Sequence, residues 1–458
     1  MPGEVVGPGR PGHGRRGPVR KVAVIAAVVA VVFLAIALVA SQALRTPPPA
    51  DAGNPRLRIT TSFATDAGVT VSLDAQRLGV DADVDSLGDP RHGTLERTSP
   101  TTVHYRPTPG YLGDDSFTYT VTTQSGGTAT TLTGTVTLMR TCTRSATLVP
   151  TCGVWWGAAQ VPGGPSGIEA FARTVGGPVP VAHLYASGGE VFPTTEERAL
   201  VGPDGPSTVL FGNIKPTDEF GQTLTWAQVA AGDADTYLRS VAAAIREVDG
   251  QVFLTIHHEP EGEVDTTPGS GWTPADYVAM YRHVVQVVDA GVAAHQVVWV
   301  WTVSGYPKWE SLWPRLFPGA DVVDWIGYDP YLQDPAGCDF TCVINRTYPE
   351  YPDWTGFYDW ATTQLPRKPL MLAEWAVRES PSEPGTAKAA VYASAPTVLP
   401  AFPRLRAVIA FNDDLSPSDP TSSRIETSQE SLDAFRKMVR SPYLASAGSD
   451  VPVSSSRG

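Results

Sequence analysis

The feature that most limits what this chain can fold into is a rhythm over its C-terminal two thirds, where eight short apolar runs are separated by stretches with helical patterning. The runs are Gly153 to Gly157, Val179 to Tyr185, Thr208 to Asn213, Val252 to His257, Val297 to Trp301, Val323 to Tyr328, Leu370 to Ala373 and Ala407 to Phe411. Runs this short, bounded by turn residues, read as buried strands. Between them lie amphipathic candidates such as Ala234 to Val248, and Pro274 to Ala290, with Thr273 at the N-cap and Pro274 at the first helical position. Strand and helix repeated in this way predict the α/β class and a closed (β/α)8 barrel, a TIM barrel, over about residues 150 to 440. A flat doubly wound sheet is the alternative, because periodicity does not prove closure.

Upstream the texture changes. From about Pro55 to Met139 the chain is rich in Thr, Val and Tyr, and Thr102 to Arg106, Ser116 to Thr123 and Thr128 to Leu138 read as strands. The second of these puts Phe117, Tyr119 and Val121 on one face, the pattern of a small all-β sandwich. Asp114 and Asp115 read as a solvated turn. Calcium is the alternative there, but two adjacent acids do not supply the six or more oxygens it takes.

Val22 to Leu44 carry no charge and are bounded by Lys21 and Arg45, a length that crosses a hydrocarbon core as one transmembrane helix. Arg10, Arg15, Arg16, Arg20 and Lys21 outnumber the single acid Glu4 before it, which predicts a cytoplasmic segment over 1–21 and everything after 45 outside. A cleaved signal peptide, ending near Ser41-Gln42-Ala43, predicts the same compartment as a retained anchor. Residues 45–54, with Pro47-Pro48-Pro49, read as a stiff linker, and 441–458 as a disordered tail. Cys142 and Cys152, and Cys338 and Cys342, form two close pairs expected to be local disulfides, in keeping with an oxidising compartment. Zinc is the rival, but neither pair has knuckle spacing or a nearby histidine pair.

Apolar residues make up 42% of the 458 and charged residues 18%, enough for a large core. A net charge of -13 argues against nucleic acid as partner. No glycine motif or histidine spacing calls for a metal, nucleotide or redox cofactor.

Barrel enzymes gather their chemistry at the C-terminal ends of the strands. The fourth run ends His257-His258-Glu259-Pro260 and the seventh Ala373-Glu374-Trp375. Two carboxylates brought together from different strands suit glycoside hydrolysis, in which one carboxyl gives a proton to the leaving oxygen and the other, ionised, attacks the anomeric carbon. Trp155, Trp156, Trp299, Trp301, Trp325 and Trp375 lie near strand ends, and Trp301 and Trp375 are the two expected to stack on sugar. His183 is placed either to bind substrate or to pack in the core.

Two resemblances follow from these residues. Val103-His104-Tyr105-Arg106-Pro107 and the segment from Gly110-Tyr111-Leu112-Gly113-Asp114-Asp115 to Val121 resemble the cadherin-like or immunoglobulin-like repeats of bacterial surface proteins, which implies a spacer or adhesion unit. His258-Glu259-Pro260, Val297 to Trp301, Asp324 to Tyr331 and Pro369 to Trp375 resemble, in that order, motifs of glycoside hydrolase family 26, the β-mannanase family. That resemblance implies a retaining (β/α)8 hydrolase with Glu259 as acid/base and Glu374 as nucleophile. It also implies substrate contact for His258, and a place under the reacting sugar for Asp329 and Tyr331, with Tyr331 hydrogen-bonded to the nucleophile. Strict strand alternation instead favours His257 over His258 as the neighbour of Glu259. The chain departs from the family where Glu261-Gly262-Glu263-Val264-Asp265 replace Asn-Gly and an aromatic segment, in a loop expected to build sugar subsites, and where the eighth strand ends Phe411-Asn412-Asp413-Asp414 without tryptophan. The expected activity is extracytoplasmic, cofactor-free hydrolysis of a β-linked polysaccharide, mannan by resemblance. The alternatives are a catalytically silent glycan-binding surface protein and a transglycosylase. The long connection from Tyr331 to Trp354 is expected to rim the cleft.

Overall fold

The computed structural model describes residues 57–445, apart from 64–66, 74–83, 126–127, 160–163, 188, 202–207, 219, 366, 381 and 414–421. The expected basic segment, the span Val22 to Leu44 and the proline-rich linker to residue 54 lie outside them, as does the chain after 445. Among the described residues no helix is long and apolar enough to cross a membrane. At the start of the stretch expected to be a disordered tail, Pro442–Ala445 is a short helix. Leu444 is fully buried, and the Val154 N–H donates to the Tyr443 carbonyl at 2.9 Å, so the chain stays packed past Ser441.

Seven strands build the N-terminal module: β1 (Leu57–Phe63), β2 (Val69–Ser72), β3 (Val84–Leu87), β4 (Gly93–Ser99), β5 (Thr102–Pro107), β6 (Asp115–Ser125) and β7 (Thr128–Arg140). One sheet runs β1-β7-β6-β3 and the other β2-β5-β4, an immunoglobulin-like sandwich. Alternation makes the core: Val103 and Tyr105 of β5, Phe117, Tyr119 and Val121 of β6, and Val136 and Leu138 of β7 are buried. The solvated position expected for Asp114 and Asp115 holds for Asp114, which is exposed, and is corrected for Asp115. Asp115 is buried, and its carboxylate accepts from the Tyr105 hydroxyl at 3.0 Å and from the His92 and Ser116 amides at 2.9 and 2.8 Å. Burial opposes its charge, yet these donors hold its pKa below the usual carboxylate value. Asp114 in turn accepts from the Arg140 amide at 2.9 Å, so both acids close the sandwich edge.

The second part is an eight-stranded parallel barrel. Strands β8 (Trp155–Ala159), β9 (Val181–Tyr185), β10 (Val209–Ile214), β11 (Val252–Ile256), β12 (Val297–Val303), β13 (Trp325–Tyr328), β15 (Leu370–Val377) and β16 (Leu405–Phe411) pair in chain order. The ring closes because β16 pairs with β8 and β13 with β15, which excludes the doubly wound alternative. A two-residue strand, β14 (Tyr331–Leu332), adds to the C-terminal end of β15, with Tyr331 opposite Ala376.

Helices at Gly164–Val175, Asp235–Arg246, Pro274–Asp289, Phe357–Gln364, Thr386–Val398 and Gln429–Val439 are the longer ones outside the ring. Thr273 caps the third of these with its side chain on the Asp276 amide, and Asp276 returns the bond to Thr273. The helices cover an outer apolar layer that contains Ile256, Trp299, Trp301, Leu372 and Trp375, while Phe211, Phe253, Val298, Val300, Met371 and Ile409 fill the inside. Gly327 belongs to the inner face because a Cβ there would stand 2.7 Å from the Thr302 hydroxyl oxygen and 3.1 Å from Ala373 Cβ.

The segment between the two parts closes the barrel from below. Cys142 is disulfide-bonded to Cys152, and within that loop Leu148 is buried among the inward-facing residues. The indole N–H of Trp155, first residue of β8, donates to the Leu148 carbonyl at 2.8 Å. That of Trp325, first residue of β13, donates to the Thr147 carbonyl at 2.7 Å. These two tryptophans therefore floor the barrel at the N-terminal ends of the strands.

Candidate active site

At the other end of the barrel β9, β10, β11, β13, β14 and β15, or the residues just after them, deliver side chains to one cleft. Glu374 comes from β15, and its entry depends on an irregularity. The register with β16 passes from Leu372 opposite Val408 to Trp375 opposite Ala410, three residues against two. This bulge resets the alternation: Ala373 faces in, while Leu372, Trp375 and Val377 belong to the outer layer. Glu374 is thereby aimed at the cleft, where its Oε1 accepts from the Tyr185 hydroxyl and its Oε2 from the Tyr331 hydroxyl. Burial, followed by the Glu374 charge, raises both phenols well above their ordinary pKa. They stay protonated and act as donors, the arrangement an ionised Glu374 needs.

Asp329 is fully buried below Glu374 and its Oδ1 accepts the Glu374 backbone N–H at 2.9 Å. Burial and then the charges of Glu374 and Glu259 push its pKa well up, while Oδ2 finds no protein partner. A proton on Asp329 relieves that crowding.

The end of β11 breaks the pleat twice, with left-handed backbone at His257 (φ 46°) and Glu259 (φ 53°). The break settles which histidine faces the cleft. His257 turns outward between Trp226 and Trp272, and its Nδ1 meets Glu263 at 2.8 Å. His258 turns inward, with Nε2 3.6 Å from Glu374 Oε1 and Nδ1 on the Asn213 side-chain amide. With that amide donating to Nδ1, the ring proton sits on Nε2 and faces Glu374. Burial lowers the His258 pKa and favours the neutral ring.

Glu259 follows, its amide held by the Thr302 carbonyl at 3.1 Å, and a 3-10 turn, Pro260–Gly262, begins directly after it. Burial first, then the charges of Glu374 and Glu261, raise the Glu259 pKa to about 7. Lys215 and Lys308 oppose the rise. At neutral pH a large fraction of Glu259 therefore carries a proton.

In the acidic loop expected to build subsites, Glu261 and Glu263 bond to the protein, while Asp265 is exposed. Glu261 is buried and accepts from the Ser304 amide and hydroxyl, both at 3.0 Å, and from the Trp313 indole at 2.7 Å. Glu263 bonds Lys215 as well as His257. Burial works against its charge, but these two partners hold its pKa down to about 2. Together these bonds tie the turn after Glu259 to β12 and to the residue following β10.

His183 lies inside the barrel beneath the cleft, with Nδ1 on the Ala373 carbonyl at 3.0 Å and its ring stacked on Phe211 at 3.9 Å. Burial lowers its pKa to about 4, so it is neutral. The structure thus brings Glu259, Glu374, His258, Asp329 and Tyr331 together, with His183 supporting them from below.

Trp301 and Trp375 are not in the cleft, contrary to expectation. Trp301 packs on Phe317, and Trp375 on Phe340 and Tyr392, both in the outer layer. Trp156 and Trp299 share that layer, and Trp155 and Trp325 are at the floor. Tyr185 and Asn213 were missed. The signal was present, since alternation from His183 and Phe211 puts each on the inner face at its strand's upper end.

His258, Asp329 and Glu374 place ligand-type atoms within 4.8 Å of one another. Both oxygens of Glu374 are engaged by phenols and Asp329 Oδ1 by an amide, so the cluster works as a hydrogen-bond network.

Residues 51–138 match the bacterial Ig domain family. No curated protein sequence matches the chain. Among solved structures, the chain is similar to the GH26 domain of an endo-β-mannanase/endo-β-glucanase from Prevotella bryantii (12% identity, TM-score 0.40, 65% of this chain and 91% of that one). It is also similar to a GH26 β-mannanase from Bacteroides ovatus (15%, 0.43, 64% and 90%) and to the catalytic domain of a GH26 endo-β-1,4-mannanase from Bacillus sp. JAMB-750 (13%, 0.43, 64% and 87%).

Proposed function

We propose that the barrel is a retaining glycoside hydrolase acting outside the cytoplasm on a β-linked polysaccharide. The observation that carries the reading is a pair of carboxyls with different surroundings in one cleft, Glu259 with its pKa raised and Glu374 held by two phenol donors. Glu259, raised to about 7, is suited to give a proton to the glycosidic oxygen. Glu374, whose two oxygens accept from the Tyr185 and Tyr331 hydroxyls, is held in position to attack the anomeric carbon. The glycosyl ester formed on Glu374 is then hydrolysed by water that Glu259, now ionised, deprotonates. The neutral His258 ring and the Tyr185 and Tyr331 hydroxyls hold Glu374 in place through both steps. Two disulfides support an extracytoplasmic setting.

Mannan, suggested by sequence resemblance, is the first substrate to try. None of the six tryptophans expected near strand ends enters the cleft, and the loop after Glu259 is committed to Ser304, Trp313, His257 and Lys215. The polysaccharide is therefore best identified by product analysis across mannans, glucans, xylans and uronate-bearing polymers. Cleavage lost in Glu374→Ala supports the reading. Binding without turnover, unaltered by Glu259→Gln, would support a silent glycan-binding protein in its place.

A further inference from the structure

Within the electrostatic reach of Glu259, a recess of about 240 Å³ lies between the loop after β12 and the loop after β14. Its lining is Tyr306, Pro307 and Lys308 from the first loop and Tyr348, Glu350 and Tyr351 from the second. The volume lies below that of sites for drug-sized ligands, about 300–1,000 Å³, and suits a single sugar ring.

Tyr306 ties the recess to the catalytic groups, since it feels the charge of Glu259. Its ring lies 6.1 Å from that of Tyr348. Aromatic faces of this kind take the apolar face of a pyranose.

The charges around this recess differ from those of the chain as a whole. Against a net charge of -13, Lys308 and Arg346 both stand here without an ion-pair partner among the described residues. Lys308 Nζ lies 4.8 Å from the Trp309 ring centroid, and the Arg346 guanidinium 5.0 Å from that of Tyr348. Arg346 also donates to the Tyr331 carbonyl at 3.1 Å, which fixes its charge at the cleft edge. Glu350 is the one acid of the lining.

We propose that this recess is a subsite for an acidic sugar. It would hold a uronate unit next to the bond being cut, with the ring against the tyrosines, the carboxylate on Lys308 in the field of Arg346, and a hydroxyl on Glu350. The proposal rests on the hydrolase reading for which bond is cut, but not for what the recess binds. It makes the substrate a β-linked polysaccharide that carries uronic acid, and a neutral mannan at best a poor stand-in.

Paired oligosaccharides, equal in length and differing only in whether sugars carry a carboxylate or a hydroxymethyl group, test it on the full-length chain. Calorimetric titration is run beside turnover. Tighter binding and faster cleavage of the uronate member are expected, with the preference shrinking as salt rises. Lys308→Gln should lower the uronate-to-neutral ratio of kcat/KM about tenfold, the loss of one charge-assisted hydrogen bond, and Lys308→Arg should restore much of it. Glu350→Gln should raise the ratio. Equal affinity for both members, or a ratio that Lys308→Gln leaves unchanged, overturns the subsite even if the enzyme cleaves neutral glycans well. Selective uronate binding without cleavage of any polymer keeps the subsite and overturns the hydrolase reading.

Discussion

Glu374 is held by two phenols, and each hydroxyl can be removed without changing shape. Tyr185→Phe and Tyr331→Phe should each lower kcat about 10- to 100-fold, the worth of a hydrogen bond to a charged group, with small effects on melting temperature. On the proposed hydrolase reading, Glu259 sets the pH range. Its protonated form gives the proton, and with a pKa near 7 that form is lost as pH rises, so kcat/KM should fall on the alkaline side with an apparent pKa of about 7. Glu259→Gln should remove that limb and cost about 10²- to 10⁴-fold on substrates with poor leaving groups. An alkaline limb that persists in Glu259→Gln would assign it to another group.

The elements show how far the residues foretold the site. The eight strands were legible because each is a short apolar run between turn residues, and alternation along β9 agrees with His183 inside, whereas Asp329 and Tyr331 were expected from the resemblance to family 26 motifs. Tyr185 and Asn213 obey the same rule and could have been read from it. What could not be read is where the rule fails. The bulge in β15 puts Ala373 and Glu374 on the inner side in succession and sends Trp375 out, and two left-handed residues after β11 exchange the places that alternation alone gives His257 and His258, leaving His258 at the cleft as the resemblance implied. Such irregularities arise from how neighbouring strands meet, which no local pattern encodes. The tryptophan reading fails at Trp375 for that reason, whereas Trp301 faces out by the ordinary alternation of β12 with Val298 and Val300 inside, and the reading is testable. Trp375→Ala should cost roughly 3–5 kcal/mol of stability, seen in denaturant midpoints, whereas Trp375→Phe should leave KM on the active polysaccharide unchanged.

At the scale of the whole molecule, the buried histidine beneath the cleft makes folding sensitive to acid. His183 has a folded pKa of about 4 against about 6.5 unfolded, so the unfolded chain takes up the proton first as pH falls. The stability this group confers is complete above about 6.5 and is lost progressively as pH drops towards about 4, in total on the order of 3 kcal/mol. Urea midpoints at pH 7.5 and 4.5 should differ less in His183→Gln than in the parent chain.

The floor gives the junction between the two folded parts a role in stability as well. Opening the Cys142–Cys152 loop, whose ends are 10 residues apart, by replacing both cysteines with serine should lower stability by about 2–3 kcal/mol. A fragment begun at Trp155 would lose the Thr147 and Leu148 carbonyls that receive the two floor indoles, so the smallest sound catalytic fragment starts before Cys142. The same attachment fixes how a pull is transmitted. Tension applied through the N-terminal module enters the barrel at its base, on the first residues of β8 and β13, while the carboxyls work at the opposite rim. A barrel gripped from beneath can be tugged by its stalk without its mouth being bent.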